Sequence, residues 1–162
     1  MKDNFVKGVL SIFLFIVLFA LSVGGLGVLW RELFDFLNNM SIKKFGELIL
    51  LTIYTTNYII VVLNLTFIVN STSYTPFISG NVKRFKIMGT CLLVNSVSEC
   101  IIGFYSNADA PLVLFGIRDA KNMIGGLTGS MVFNIIFALM CFVLAEVIDK
   151  AIKIKNENDL TI

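Results

Sequence analysis

Four long stretches of apolar residues, separated by short polar segments, constrain this chain more than any other feature. A membrane-spanning helix needs about 20 apolar residues, because each residue advances about 1.5 Å and the hydrocarbon layer is about 30 Å thick. The stretches that reach this length lie at residues 8–30, 45–69, 87–105 and 129–148. With 57% hydrophobic and 15% charged residues, the 162-residue chain cannot cover a water-facing surface. We therefore predict one all-α integral membrane domain, residues 1–162, whose four transmembrane helices form a bundle.

Lysine and arginine residues set the orientation of such a protein, because they concentrate in its cytoplasmic segments. Eight of them lie in the N-terminus, the loop 70–86 and the tail: Lys2, Lys7, Lys83, Arg84, Lys86, Lys150, Lys153 and Lys155. The two opposite loops hold five: Arg31, Lys43, Lys44, Arg118 and Lys121. The difference predicts that both termini are cytoplasmic, with a cytoplasmic tail at residues 149–162.

Both outer loops contain apolar residues of their own. In the first, "LWRELFDFLNN", the apolar residues recur at helical spacing opposite the charged ones, which predicts a short interfacial helix with Trp30 at headgroup level. In the second, residues 106–127, the run "PLVLFGI" is too short to span. We expect that run to lie against the bilayer or to cap the bundle.

Composition excludes several classes of function. The absence of histidine removes His-based acid/base catalysis, Ser-His and Cys-His nucleophile pairs and His metal ligation. Cys91, Cys100 and Cys141 lie in apolar segments without CxxC spacing, which indicates packing residues rather than a disulfide framework. A net charge of +2 gives no basis for direct binding of nucleic acid. We predict no enzymatic activity, no cofactor and no bound metal.

One carboxylate, Glu99, lies well inside a predicted span. Such a group is costly in the membrane, faces other helices or water, and is a candidate functional residue. On its helix it follows Asn95 and Ser98, and the same depth on the other three spans is occupied by polar residues. The predicted polar layer consists of Ser22, Thr55, Thr56, Asn95, Ser98, Glu99 and Asn134. Two interpretations stay open: hydrogen bonds that hold the helices together, or a small polar cavity for a ligand, an ion or a proton.

The fourth span also carries a row of small residues at helical spacing: Ser130, Asn134, Ala138, Cys141 and Ala145. Small residues allow membrane helices to approach closely. This row predicts tight helix packing, and it leaves a homo-oligomer possible.

The segment "TPFISGNVKRFK", residues 75–86, combines a proline turn with a basic cluster before the third span. Proline restricts the preceding residue to extended conformations and fits the first turn of a helix. The simplest interpretation is an anchor for the cytoplasmic side of the membrane. The tail ends in the polar run "NENDLTI", residues 156–162.

These two motifs resemble those of a four-helix bacterial membrane family of unknown function, number 2975 (DUF 2975). The resemblance covers about a quarter of the chain and implies a multi-pass protein of the bacterial inner membrane. The resemblance implies that the gene is paired with that of a small helix-turn-helix regulator of the Cro/CI type. By analogy, this protein would bind and sequester such a regulator at the membrane. The resemblance thus implies a docking surface formed by residues 75–86 and the polar end of the tail. The docking candidates are Pro76, Phe77, Asn81, Lys83, Arg84, Asp159, Leu160 and Thr161.

The function expected from the resemblance is therefore signalling or transcription regulation through a cytosolic partner. Two alternatives stay open. One is a small transporter or proton-coupled exporter that uses Glu99, and the other is an immunity protein against a membrane-active peptide. Apart from the regulator, the expected partner is the lipid bilayer.

Overall fold

The computed structural model describes the backbone of residues 2–71, 78–105, 113–118 and 123–159, and the side chains within 6–71, 78–101 and 128–158. In these ranges the chain forms four helices and one hairpin. The elements are α1 (Lys2–Asn38), α2 (Ile42–Ser71), α3 (Ser79–Tyr105), β1 (Val113–Arg118), β2 (Met123–Thr128) and α4 (Gly129–Asp159). Each predicted span lies within one helix, since a long apolar segment in lipid must satisfy its own backbone hydrogen bonds. The prediction of an all-α membrane protein is confirmed.

Three of the described helices are long and apolar enough to cross a membrane, namely Val6–Asn38, Ile42–Ser71 and Gly129–Asn158. The third predicted span, 87–105, lies in α3, which is not among them. This helix carries three basic residues near its start and Glu99 near its end, and several of its inward positions are polar. It packs against α2 on one side and α4 on the other, so it presents less surface to lipid than its neighbours do.

The core of the molecule lies among α2, α3 and α4. Its buried members come from all three helices: Ile68, Met88, Leu92, Ala138 and Cys141. The first helix packs mainly against α2, and among its described side chains only Leu14 is buried. The predicted four-helix bundle is therefore a three-helix core with α1 attached to one side.

The predicted interfacial helix does not exist as a separate element. Residues 30–38 continue α1, which runs without a break for 37 residues, or about 55 Å. No proline interrupts the stretch, and its Arg, Glu and Leu residues favour helix as much as the apolar part does. The turn into α2 is closed by the rings of Phe36 and Phe45, whose centroids are 5.6 Å apart.

The loop predicted to be the second outer one contains a hairpin that the sequence did not predict. Strand β1 pairs antiparallel with β2, from Val113 opposite Thr128 to Arg118 opposite Met123, with irregular register near both ends. The apolar run expected to lie on the bilayer is thus largely β1. Two adjacent glycines in β2, Gly125 and Gly126, weaken the strand pattern, so this element is hard to recognise from periodicity. Strand β2 leads directly into α4.

Three contacts show that the basic segments meet at one end of the molecule. The Ser11 hydroxyl near the start of α1 donates to Asn70 Oδ1 near the end of α2, at 3.3 Å. Ser71 at the end of α2 contacts the start of α3. Lys86 on α3 lies close enough to Asp149 on α4 for an electrostatic interaction. We call this end, where α1 and α3 begin and α2 and α4 end, the basic end.

Candidate functional sites in the membrane and at the basic end

The first polar contact inside the helix core joins α2 to α3. Asn95 is fully buried, at 0% exposure. Its Oδ1 accepts a hydrogen bond from Asn57 Nδ2 at 2.8 Å, and its Nδ2 donates to the backbone oxygen of Tyr54 at 3.3 Å. Both halves of the amide are thus satisfied by α2, which fixes the rotation and depth of α3 against that helix.

The second contact joins α2 to α4. The Tyr58 hydroxyl donates to Asn134 Oδ1 at 3.0 Å, and the hydroxyl groups of Tyr54 and Tyr58 are 3.4 Å apart. The two tyrosine rings also meet edge to face, with centroids 5.0 Å apart. Asn134 is buried, and its Nδ2 has no hydrogen-bond partner. A buried amide nitrogen without a partner is uncommon in folded proteins.

Glu99 belongs to a third contact, between α3 and the junction of β2 with α4. Its Oε1 accepts hydrogen bonds from the hydroxyl groups of Thr128, at 2.5 Å, and of Ser130. The Thr128 hydroxyl also accepts from the backbone N–H of Met131 at 3.2 Å, which is the bond of an N-cap residue. The same threonine therefore begins α4 and holds Glu99, whose Oε2 is buried and has no partner.

The structure brings together only part of the predicted polar layer. Asn95, Asn134 and Glu99 bridge helices, and Ser98 is buried beside them on α3. The Ser22 hydroxyl instead donates to its own helix at Leu18, at 2.8 Å. The Thr55 hydroxyl does the same with Leu51, and Thr56 is exposed. Serine and threonine in helices commonly bond the carbonyl four residues earlier, so depth alone does not place them in an interhelical network.

Several members of the network were missed from the sequence. Tyr54 and Tyr58 are four residues apart and share a helix face with Asn57 near them, which is a recognisable signal. The pair Thr128–Gly129 before an apolar run is the signature of a capped helix start. Among the described residues, no group of three or more metal-ligating side chains is present.

The basic end is organised around a buried residue rather than an exposed one. Asn81 is 1% exposed, and its Oδ1 accepts hydrogen bonds from Ser71 Oγ and from Arg84 Nη1, each at 2.9 Å. The Arg84 guanidinium also lies over the ring of Phe67, 5.4 Å from its centroid. Of the predicted docking residues, Asn81 and Arg84 thus connect α2 to α3, whereas Lys83 is exposed.

The other predicted docking residues lie at the margins of the described chain. Asp159 is the last residue of α4. Pro76 and Phe77, before α3, and Leu160 and Thr161, after α4, lie outside the described residues.

The small residues of α4 are used for packing. Of the predicted row, Asn134, Ala138, Cys141 and Ala145 are buried, whereas Ser130 is exposed. Gly89 of α3 lies against Ala138. A Cβ at position 89 would come within 2.9 Å of the Phe142 ring and 3.1 Å of the Ala138 carbonyl oxygen. The predicted close approach of the fourth helix is therefore made with α3.

The apolar helices and the internal polar contacts define an all-α integral membrane protein. Residues 45–162 match the DUF2975 family, described as a protein of unknown function. Because this match covers 118 of the 162 residues, the protein belongs to that family. The matched part contains the core of α2, α3 and α4, and it begins after α1. No curated protein and no solved structure matches the chain.

Proposed function

We propose that this protein is a membrane-bound regulatory protein whose basic end binds a small cytosolic transcription regulator of the helix-turn-helix type. The observation that carries the proposal is the geometry of that end. Exposed lysines at the start of α3 lie beside a polar extension of α4. Both segments continue helices that belong to the packed core.

The extension of α4 provides the larger part of the surface. The helix continues for eleven residues beyond the predicted span 129–148, or about 16 Å. Ion pairs between Glu146 and Lys150, at 2.7 Å, and between Asp149 and Lys153, at 2.9 Å, lie along it. Ile154 remains 59% exposed among these polar side chains and offers an apolar contact for a partner.

The start of α3 provides the second part. Asn81 and Arg84 hold this turn against α2, so the exposed Lys83 and Lys86 project from a fixed backbone. A binding surface on rigid elements loses less conformational entropy on association than a mobile one. The choice of a helix-turn-helix partner rests on analogy, through the gene pairing that the resemblance implies.

The experiment is co-purification of the tagged full-length protein with a small helix-turn-helix protein expressed in the same cells. We expect recovery at near-equal amounts, and a loss of about tenfold or more when residues 156–162 are removed or Lys83 and Lys86 are both changed to alanine. The matched control is Lys43→Ala, an exposed lysine at the opposite end. A regulator that stays bound to both variants would contradict the proposal.

A second candidate function is favoured by Glu99. A carboxyl group held between helices with one unpartnered oxygen is suited to bind and release a proton or a cation during transport. In proteoliposomes, Glu99→Gln would abolish proton-coupled flux, while Glu146→Gln, at a carboxylate whose side chain is 67% exposed, keeps it. Unchanged flux in Glu99→Gln would rule out this role.

A further inference from the structure

The guanidinium group of Arg84 is held in one position at the side of the basic end that faces lipid. It lies over the ring of Phe67 on α2, 5.4 Å from the centroid, and its Nη1 donates to Asn81 Oδ1 at 2.9 Å. Asn81 is buried and also accepts from Ser71, so the support of the guanidinium is itself fixed. Phe67 is 53% exposed on a helix with the length and composition of a membrane span. Arg84 therefore lies where the packed helices meet the lipid.

Most of the hydrogen-bonding capacity of this guanidinium is unused within the described part of the chain. Arginine is always charged and carries five N–H donors. Among the described residues, one of these donors has an acceptor, Asn81 Oδ1. The ion pairs in the same ranges involve Arg31, Lys44, Lys150 and Lys153 and do not include Arg84. The described residues therefore hold this cation in place without supplying an anion to pair with it.

The start of α3 adds to the positive charge around Arg84. Lys83 and Lys86 lie in the same two turns, and the first turn contains no acidic residue. A helix N-terminus carries a partial positive charge and unpaired N–H groups, so an anion is stabilised there and added cations are not. Asp149, the described carboxylate that interacts with Lys86, is already paired with Lys153. The region thus attracts an anion that is not part of the described chain.

The depth of Arg84 in the membrane indicates the kind of anion. Phe67 lies four residues, or about 6 Å, before the end of α2 at Ser71. With α2 centred on the membrane, its 30 residues extend beyond the roughly 30 Å hydrocarbon layer by about 7 Å at each end. The guanidinium over Phe67 is then at the edge of the hydrocarbon, beside the layer of lipid phosphate groups. Its planar fork matches two oxygen atoms of a phosphate group.

We propose that Arg84 binds the phosphate group of an anionic phospholipid beside the end of α2 and the start of α3. Two phosphate oxygens accept hydrogen bonds from the guanidinium, and an acyl chain lies against the exposed side of Phe67. An anionic lipid is preferred to a zwitterionic one because Lys83 and Lys86 repel the cationic part of a zwitterionic head group. This site differs from a general attraction of lysines to the membrane surface, since it depends on one guanidinium that is held in place. It does not rest on the proposed binding of a regulator.

The test is native mass spectrometry of the purified full-length protein in detergent, titrated with phosphatidylglycerol or with phosphatidylcholine of the same acyl chains. We expect phosphatidylglycerol to bind about tenfold more tightly. Arg84→Met should weaken its binding about tenfold, and Arg84→Lys, which keeps the charge but not the planar fork, about fivefold. The matched change Lys83→Met removes one charge from an exposed side chain of the same turn and should weaken binding about twofold or less.

Further measurements separate loss of the site from loss of the fold. Phe67→Leu removes the ring under the guanidinium but keeps an apolar side chain, and it should weaken binding about threefold. Thermal unfolding in detergent without added lipid shows whether each variant is folded. If Arg84→Met does not fold, the comparison of Arg84→Lys with Lys83→Met decides the question.

Three results would overturn the proposal. Equal weakening by the changes at Arg84 and at Lys83, or unchanged binding by Arg84→Lys, would mean a diffuse attraction between charges. Equal affinity for the two lipids would mean that the head group is not recognised. Inorganic phosphate at the concentration of the lipid should not displace phosphatidylglycerol, and displacement would assign the site to a soluble anion instead.

Discussion

The first and the fourth helix satisfy the membrane in different ways. The apolar window of α1 has the highest mean hydropathy of the three candidate spans, 2.7, yet only 6% of it is buried. The window of α4 is slightly less apolar, at 2.5, and 28% of it is buried. Hydropathy therefore measures how readily a helix enters lipid, and it does not measure how well the helix packs. Packing in this protein follows the polar and small residues.

The hydrogen bonds show the same division. Asn95, Asn134 and Glu99 each connect α3 or α4 to another element, inside the part of the chain that matches the family. On α1, Ser11 forms an interhelical hydrogen bond that is exposed, and the hydrogen bond of Ser22 is to its own helix. We infer that α2, α3 and α4 have one specified arrangement, while the outer face of α1 is specified mainly by its contact with lipid.

The largest expected effect tests the buried amide of Asn95. Replacing Asn95 by leucine removes two bonds to α2 and leaves Asn57 Nδ2 and the Tyr54 carbonyl oxygen without these partners. At about 0.6–2 kcal/mol for each interhelical bond, the free energy of unfolding should fall by about 1–4 kcal/mol. The matched change on α1, Ser22→Ala, should have almost no effect, since it loses only a local bond. Unfolding in detergent by increasing denaturant measures both, and equal losses would contradict the comparison.

The next effect tests the close approach of α3 and α4. Gly89→Ala would place a methyl group against the Phe142 ring and the Ala138 carbonyl oxygen, and overpacking of this kind costs about 1–3 kcal/mol. Gly24→Ala on α1 meets no atom within 4 Å and should instead be neutral or stabilising, because alanine favours helix by about 1 kcal/mol. Thermal unfolding of the two variants should thus shift in opposite directions. A stable Gly89→Ala protein would show that the two helices can separate at little cost.

A third, smaller effect concerns the junction that holds Glu99. Thr128→Val keeps the side-chain shape but removes both the α4 cap and one hydrogen bond to the carboxyl group. Loss of a cap alone costs about 0.5–2 kcal/mol, and we expect a decrease of that size. Thr66→Val, which loses only a bond to the carbonyl of Val62 in its own helix, is the control. If both variants unfold at the same temperature, the cap contributes no more than a local bond.

The sequence predicted those features of the fold that depend on the local pattern of residues. The apolar runs located the helices, and the small residues of the fourth helix indicated its close packing. The partners of polar side chains were harder to assign, because a serine or threonine can bond its own helix or a neighbour at the same depth. Ser22 and Asn134 occupy similar predicted depths, but only the longer amide of Asn134 reaches another helix. The hairpin and the unbroken α1 depend on tertiary contacts and on helix continuity beyond the membrane, which hydropathy does not record.

The smallest effect distinguishes two arginines, one in each region. Arg84 contacts the Phe67 ring and donates to Asn81, so Arg84→Met should lower the free energy of unfolding by about 0.5–1 kcal/mol. Arg31 on α1 is 77% exposed, and within the described part of the chain its ion pair is with its neighbour Glu32, at 3.5 Å, so Arg31→Met should leave stability unchanged. Thermal unfolding at low and at high salt concentration distinguishes a short-range contact from a screened charge interaction. A cation held over a ring and bonded to a buried amide is screened little, whereas a contribution from Arg31 would disappear in salt. If Arg84→Met is destabilising only at low salt, Arg84 contributes through long-range electrostatic attraction. The basic end is then less rigid than its contacts imply.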